Sequence, residues 1–291
     1  NGKWRGLYAH WGRHHRQAYG DADYAKKANL EAWTALFPRY TVCSYYAAAS
    51  HQPFNSPPFL HAIAGDTKYL VERGASGHLT LQYPHGYWWN FSFNLAAAAQ
   101  HAYYYPARGP QEQLQDYANS YFGPAAGAVV ADYLARLGGN ERLEASYRAS
   151  RGDAEAEHMT RLRKLHNRLR PAVKRAAGEP VYAYRVSKLT GTMEFLLHLG
   201  PIRAKVHAVE AAAKEYEAGT ATRAEVEGAI AEARADIVEI QAHADRLEAT
   251  LPGVMDANWL KGWTLNRTCA EPLNRIEKQL NSAATQPAGK E

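Results

Sequence analysis

Apolar and polar positions change rhythm along this chain. Between residues 5 and 104, short apolar runs alternate with longer amphipathic stretches. "RGLYAHW" (5–11), "YTVCSYY" (40–46) and "GHLTLQY" (77–83) carry β-branched and aromatic residues and predict strands. "ADYAKKANLEAWTALF" (22–37) repeats apolar residues at helical spacing and stops before Pro38, which predicts a helix. "PFLHAIAGDTKYLVERG" (58–74) predicts one helix or two short helical pieces closed by Gly74, and "FSFNLAAAAQHAYY" (91–104) another helix. The order βαβαβα implies parallel strands with crossover helices. A parallel sheet of only three strands leaves long bare edges. The expectation is therefore the C-terminal part of a (β/α)8 TIM-type barrel. Residues 1–139 would hold its last three β/α units, and the missing N-terminal half would act as a partner.

Beyond "LGGN" (137–140) the chain turns to Ala, Glu, Arg and Leu, which favour helices. Leu162, Leu165, Leu169 and Val173 would share one face of a helix over 141–178. A second helix is predicted over 184–219, kinked or split at Pro201 and ended by Gly219. Thr222 and Glu225 have the spacing of a capping box. The helix they open carries Val226, Ile230, Ala233, Ile237, Ile240, Ala244 and Leu247 at a steady 3,4 spacing. That stripe reads as the core of an antiparallel three-helix bundle, an accessory domain over 140–291. A homodimer seam is the other arrangement the stripe allows.

Composition narrows the picture in three ways. Of 19 tyrosines, 15 lie at or before Tyr133, and 8 of 13 histidines lie at or before His101. The chemistry is thus concentrated in the first half. No apolar run approaches the length a membrane-spanning helix needs, so no membrane partner is expected. Cys43 and Cys269 are too few for a disulfide framework. The net charge of +5 is compatible with acidic substrates and with nucleic acid. The basic run 161–175 nevertheless spends one face on leucines and reads as a solvated helix, so no nucleic-acid partner is expected.

In a parallel barrel the site lies at the C-terminal strand ends. His10 follows the first strand and is the candidate for a catalytic or near-catalytic polar role. Tyr8 shares its face of the strand. Tyr45 and Tyr46 end the second strand, and only one of them can point inward. After the third strand, "QYPHGYWWN" supplies Gln82, His85, Trp88, Trp89 and Asn90. Aromatic faces stack on the C–H faces of sugar rings, while amides and imidazoles bind hydroxyls, so this set reads as a sugar pocket. One tryptophan of the pair is expected in the core. No Asp or Glu stands at the three strand ends, although most glycosidases use two carboxylates. Asp21 and Asp23 read as helix caps. Neither HExxH nor CxxC occurs, and neither a metal nor a cofactor is expected.

"YAHW", "NLEAWTAL", "YTVCSYY", "YLVERGASGHLT" and above all "YANSYFGPAAGAVVADYLARL" occur in an order that resembles a bacterial family of glycoside-hydrolase-like barrels. The resemblance covers the first 137 residues. It implies kinship with exo-acting glycosidases on acidic sugars, among them inverting exosialidases. The catalytic Asp and carboxylate-binding arginines of such enzymes would precede residue 1. The expected function is exo-acting hydrolysis of a glycosidic bond, possible substrates being sialic or other acidic sugars. The alternative is a non-catalytic carbohydrate-binding barrel.

Overall fold

A computed structural model describes residues 6–9, 18–21, 27–37, 39–47, 58–82, 88–103, 109–139, 153–252, 265–266 and 268–285. The chain divides into two compact units. The first joins Asn1–Asn140 to Arg168–Val186, and the second joins Glu141–Asn167 to Ser187–Glu291. The stretch from 168 to 186 thus belongs with the α/β unit.

The first unit alternates as its sequence pattern implies. Its elements are β1 (Gly6–Ala9), α1 (Lys27–Leu36), β2 (Tyr40–Ala47), α2 (Leu60–Glu72), β3 (Ala75–Gln82), α3 (Trp88–Tyr103), α4 (Pro110–Phe122) and α5 (Pro124–Gly139). The strands are parallel and ordered β1-β2-β3. Tyr8 pairs in register with Val42, which pairs with His78. Consecutive strands thus lie side by side, each reached through one crossover helix.

The barrel expectation is corrected here. Among the described residues the sheet is open and three-stranded, and helices make up most of the chain. Closing a barrel requires enough tilted strands to bring the last edge back to the first. Three strands in simple order cannot do so, and the elements that follow β3 are all helical.

One face of this sheet is a core. Tyr40 and Val42 of β2 pack with Leu30 of α1, Tyr69 and Leu70 of α2, and Tyr19. Trp33 and Phe37 close the cluster, with Trp33 meeting the Tyr40 ring edge-on at 5.6 Å. The spacing Leu30–Trp33–Phe37 explains why α1 turns this side inward. The opposite face is barer: Leu7 and Leu79 are 58% and 51% exposed.

α4 and α5 are joined at Gly123, whose φ of +87° lies in the region open to glycine. A Cβ there would sit 2.5 Å from the Tyr182 ring, so the position has neither the conformation nor the room for a side chain. Arg185 lies over the Tyr121 ring, 4.1 Å from its centroid, and donates to the Tyr121 carbonyl.

The remaining helices are α6 (Asp153–Ala176), α7 (Pro180–Glu217), α8 (Arg223–Thr250) and α9 (Glu271–Thr285). α7 runs unbroken through Pro201, so the expected split does not occur. It ends in a Schellman motif: Thr220 N–H donates to the Glu215 carbonyl and Gly219 N–H to the Tyr216 carbonyl. The capping box forms as its spacing implies. Thr222 Oγ1 accepts from Glu225 N–H, and Glu225 returns the bond to Thr222 N–H at 2.7 Å. All seven residues of the α8 stripe are buried. The α6 stripe needs one correction, because Val173 is 39% exposed while Ala172 and Ala176 are buried. After Leu169 the inward line continues at i+3 and i+7, and Val173 falls on the flank. α9 makes a further helix, held to α8 by a two-pronged Arg234–Glu277 pair and by Arg234 to Asn274.

Candidate functional site

β2 and β3 end together, while β1 ends four residues lower, level with Cys43. Ala9 pairs with Cys43, and Ala47 pairs with Gln82. In open parallel sheets, ligands bind in the crevice outside these carboxyl ends. The face of β2 that carries Val42, Ser44 and Tyr46 leads toward that end, and it changes character on the way. Val42 is core, Ser44 is a buried polar residue, and Tyr46 is a core ring that carries a hydroxyl.

Tyr46 is fully buried, and its hydroxyl donates to Asp66 Oδ2 in α2. Asp66 is itself 1% exposed and accepts the Tyr19 N–H at 2.6 Å through Oδ1. His78 of β3 meets the Tyr46 ring edge-on at 5.7 Å, and its Nε2 shares a 2.7 Å hydrogen bond with Ser44 Oγ. Burial pulls the His78 pKa below its usual value, with nearby Asp66 opposing that shift. Its imidazole is therefore neutral near pH 7. Asn94 of α3 completes the group. It accepts from Phe59 N–H at 2.9 Å and donates to the Tyr46 carbonyl at 3.3 Å. One side chain thereby fixes the end of β2 to the start of α2.

Each member follows from its place in the sequence. Ser44 and Tyr46 alternate with Cys43 on a pleated strand. Asp66 lies in line with Ala62, Ile63 and Leu70, all on the buried stripe of α2. An acidic residue in the apolar line of a short helix needs partners, because an unpaired buried charge is costly. Tyr46 and the Tyr19 N–H are those partners.

With Tyr46 and Asp66 sealed from solvent, this network positions the strand end rather than touching a ligand. Tyr46 is therefore removed from the set of sugar-contacting residues and becomes a support. The side chains of Tyr8, Tyr45, Gln82, Trp88, Trp89 and Asn90 lie outside what the structure describes, as do His10 and His85 altogether. Their backbones place Tyr8 in β1, Tyr45 and Gln82 near the ends of β2 and β3, and Trp88, Trp89 and Asn90 in the first turn of α3. Asp21 precedes α1 (Lys27–Leu36), and Asp23 lies outside the described residues. The Asp21 carboxylate accepts from Ala18 N–H and bonds His61.

Asp66, His78, Ser44 and Asn94 were not singled out in the sequence. The signal for Asp66 was present, as a carboxylate on an apolar helical stripe. His78 stands in the middle of an alternating strand and gives no such sign.

The comparisons with known proteins add no identity: no family model, no curated protein and no solved structure matches the chain. Among the described residues no helix is long and apolar enough to cross a membrane.

Proposed function

We propose that this chain acts on carbohydrate as a glycoside hydrolase, with its substrate at the C-terminal ends of β1, β2 and β3. The observation that supports this most is that β2 and β3 end side by side, and that the end of β2 is held by a buried Asp66–Tyr46–Tyr19 network. A polar network that satisfies every member rigidifies its surroundings. A rigid support is what a binding site needs from its scaffold. The segments that leave this edge carry His10 after β1 and His85, Trp88, Trp89 and Asn90 after β3. In this reading His10 serves as the acid, base or hydrogen-bond donor. Tyr8, Tyr45, Gln82, His85, Asn90 and one of the two tryptophans hold the sugar.

A second reading is a non-catalytic carbohydrate-binding protein. It is favoured by the burial of Asp66, since a carboxylate closed off from solvent cannot attack or protonate a substrate.

The test screens the full chain against a glycan array and against aryl glycosides, aryl sialosides included. Wild type is compared with Trp88→Ala, Trp89→Ala, Asn90→Ala and His10→Ala. Turnover lost in His10→Ala supports the hydrolase. Glycan binding without turnover, weakened roughly tenfold to a hundredfold by Asn90→Ala, supports the binding protein. Absence of both, or binding that ignores all four changes, overturns the carbohydrate reading.

A further inference from the structure

The positive charge of the chain is concentrated in one place. There are 34 lysines and arginines against 29 acidic residues. Seven of the 34 stand between Arg161 and Arg175, where no acidic residue occurs. The rest of the chain is therefore slightly acidic, with 27 cations against 29 anions. On a solvated helix such cations are commonly balanced by carboxylates a turn away. Two of these are balanced: Arg161 pairs with Glu157, and Arg168 reaches Asp132 of α5 at 3.4 Å. Arg163, Lys164, Arg170, Lys174 and Arg175 are exposed, and among the described residues none of the five has a carboxylate partner.

All five lie on α6, which runs without a break from Asp153 to Ala176, so their arrangement is set by that one helix. Leu162, Leu165, Leu169, Ala172 and Ala176 are buried and use only its inward side. At about 100° per residue the free cations fall into two rows on the outward side. Arg163, Arg170 and Lys174 form one row. Lys164 and Arg175 form the other, roughly 110° further round the axis. The crest between the rows carries Asn167 and Pro171, both exposed and both short. From Arg163 to Arg175 the face extends about 18 Å along the axis.

We propose that this face of α6 binds double-stranded DNA, the helix lying along the major groove with one row of cations against each flanking phosphate backbone. The dimensions match. The groove is about 12 Å wide and admits an α-helix, and cations on both flanks of such a helix meet the two strands that wall it. The low crest lets the helix enter. A single strand or a linear polysaccharide would follow one row and leave the other unused. Single-strand sites also rely on aromatic platforms, and the run from Arg161 to Arg175 has no Trp, Tyr or Phe. Lysine and arginine contacts to phosphate act on any sequence, so the binding has little base preference.

The test titrates the full chain onto a labelled duplex of about 20 base pairs, read by fluorescence anisotropy between about 50 and 200 mM salt. Five neutralised phosphates give a log–log salt slope of about −4.5, so affinity should fall roughly 500-fold over that range. Combining Arg163→Gln, Arg170→Gln and Lys174→Gln should flatten the slope to about −1.8 and reduce the fall to roughly tenfold. Combining Lys164→Gln with Arg175→Gln should give a slope of about −2.7 and a fall of roughly fortyfold. Arg275→Gln with Lys278→Gln, exposed cations of α9, should keep the wild-type slope. Every substituted residue is exposed and glutamine is a good helix former, so melting temperatures should hold. The matching single strand should bind at least tenfold more weakly than the duplex. The proposal is overturned if wild type does not bind the duplex at the lowest salt, or if the single strand binds as tightly. It is also overturned if only one row affects the slope, the mark of a linear polyanion such as heparin lying along it. It is independent of the carbohydrate reading, whose residues all lie outside α6.

Discussion

Asp66→Ala tests whether the buried network holds the end of β2. The substitution removes the acceptor of two buried donors, Tyr19 N–H and the Tyr46 hydroxyl. A buried donor left unpaired costs roughly 1–3 kcal/mol, and bulk water does not replace the carboxylate, since Asp66 is 1% exposed. The expected loss is roughly 2–6 kcal/mol, the sum of the two donors. For a unit of this size that corresponds to a fall in melting temperature on the order of 10 °C. Tyr46→Phe removes one donor and leaves the Tyr19 contact, so its cost should be about half as large. Asp66→Asn keeps an acceptor for one of the two donors but turns an NH2 group onto the other, and should fall between Tyr46→Phe and Asp66→Ala. The assay is urea unfolding of the four chains, with the double variant added to close a cycle. A coupling energy of about 1 kcal/mol or more between Asp66 and Tyr46 is expected for residues in one network. The reasoning fails if Asp66→Ala unfolds with wild type, or if the two changes add without coupling.

Three further outcomes follow from the structure. Thr222→Ala removes the side chain that accepts Glu225 N–H and should cost about 1 kcal/mol, seen as an earlier unfolding transition of the second unit. Gly123→Ala forces a Cβ onto a residue at φ +87° and against the Tyr182 ring, and should destabilise the first unit by more than about 1 kcal/mol in the same assay. His158 is held down to about 4, first by burial and then by Arg203 and Arg161. The unfolded chain therefore binds more protons than the folded one between the two pKa values. Stability contributed by His158 is full above the unfolded value, near 6.5, and is lost as pH falls toward 4. The loss is at most about 3 kcal/mol, and His158→Gln should flatten this part of a stability-against-pH curve.

Local signals were the legible ones. The Thr222–Glu225 box, the Gly219 stop and the seven-residue stripe of α8 each depend on spacing within a few turns of one helix, and each is found where its spacing puts it. The alternation of strand and helix through residue 103 was legible for the same reason. The closure of the sheet was not. Strand number is a property of how edges meet, and three βα units have the same local pattern in an open sheet as in a barrel. Bare edges are a cost that a fold can bear, and they do not dictate a closed topology. Pro201 shows the limit in the other direction. Its local effect is to remove one helical hydrogen bond, but Leu199, Ile202 and Val206 are all buried around it. Packing on both sides of the proline outweighs that one bond, and α7 continues.

The candidate site was half legible, and the missing half has a common cause. Tyr46 was recognisable as a strand-end aromatic, but which of the adjacent tyrosines points inward is decided by register with β3 and by Asp66, which lies twenty residues away. The carboxylate at the end of β2 comes not from a strand but from the helix packed against it, as Asp66 of α2. In a βαβ unit the crossover helix covers the sheet face, so its buried stripe is as near the strand end as the strand's own residues. A carboxylate at i+3 or i+4 from apolar neighbours on such a helix is therefore as informative as one at a strand end.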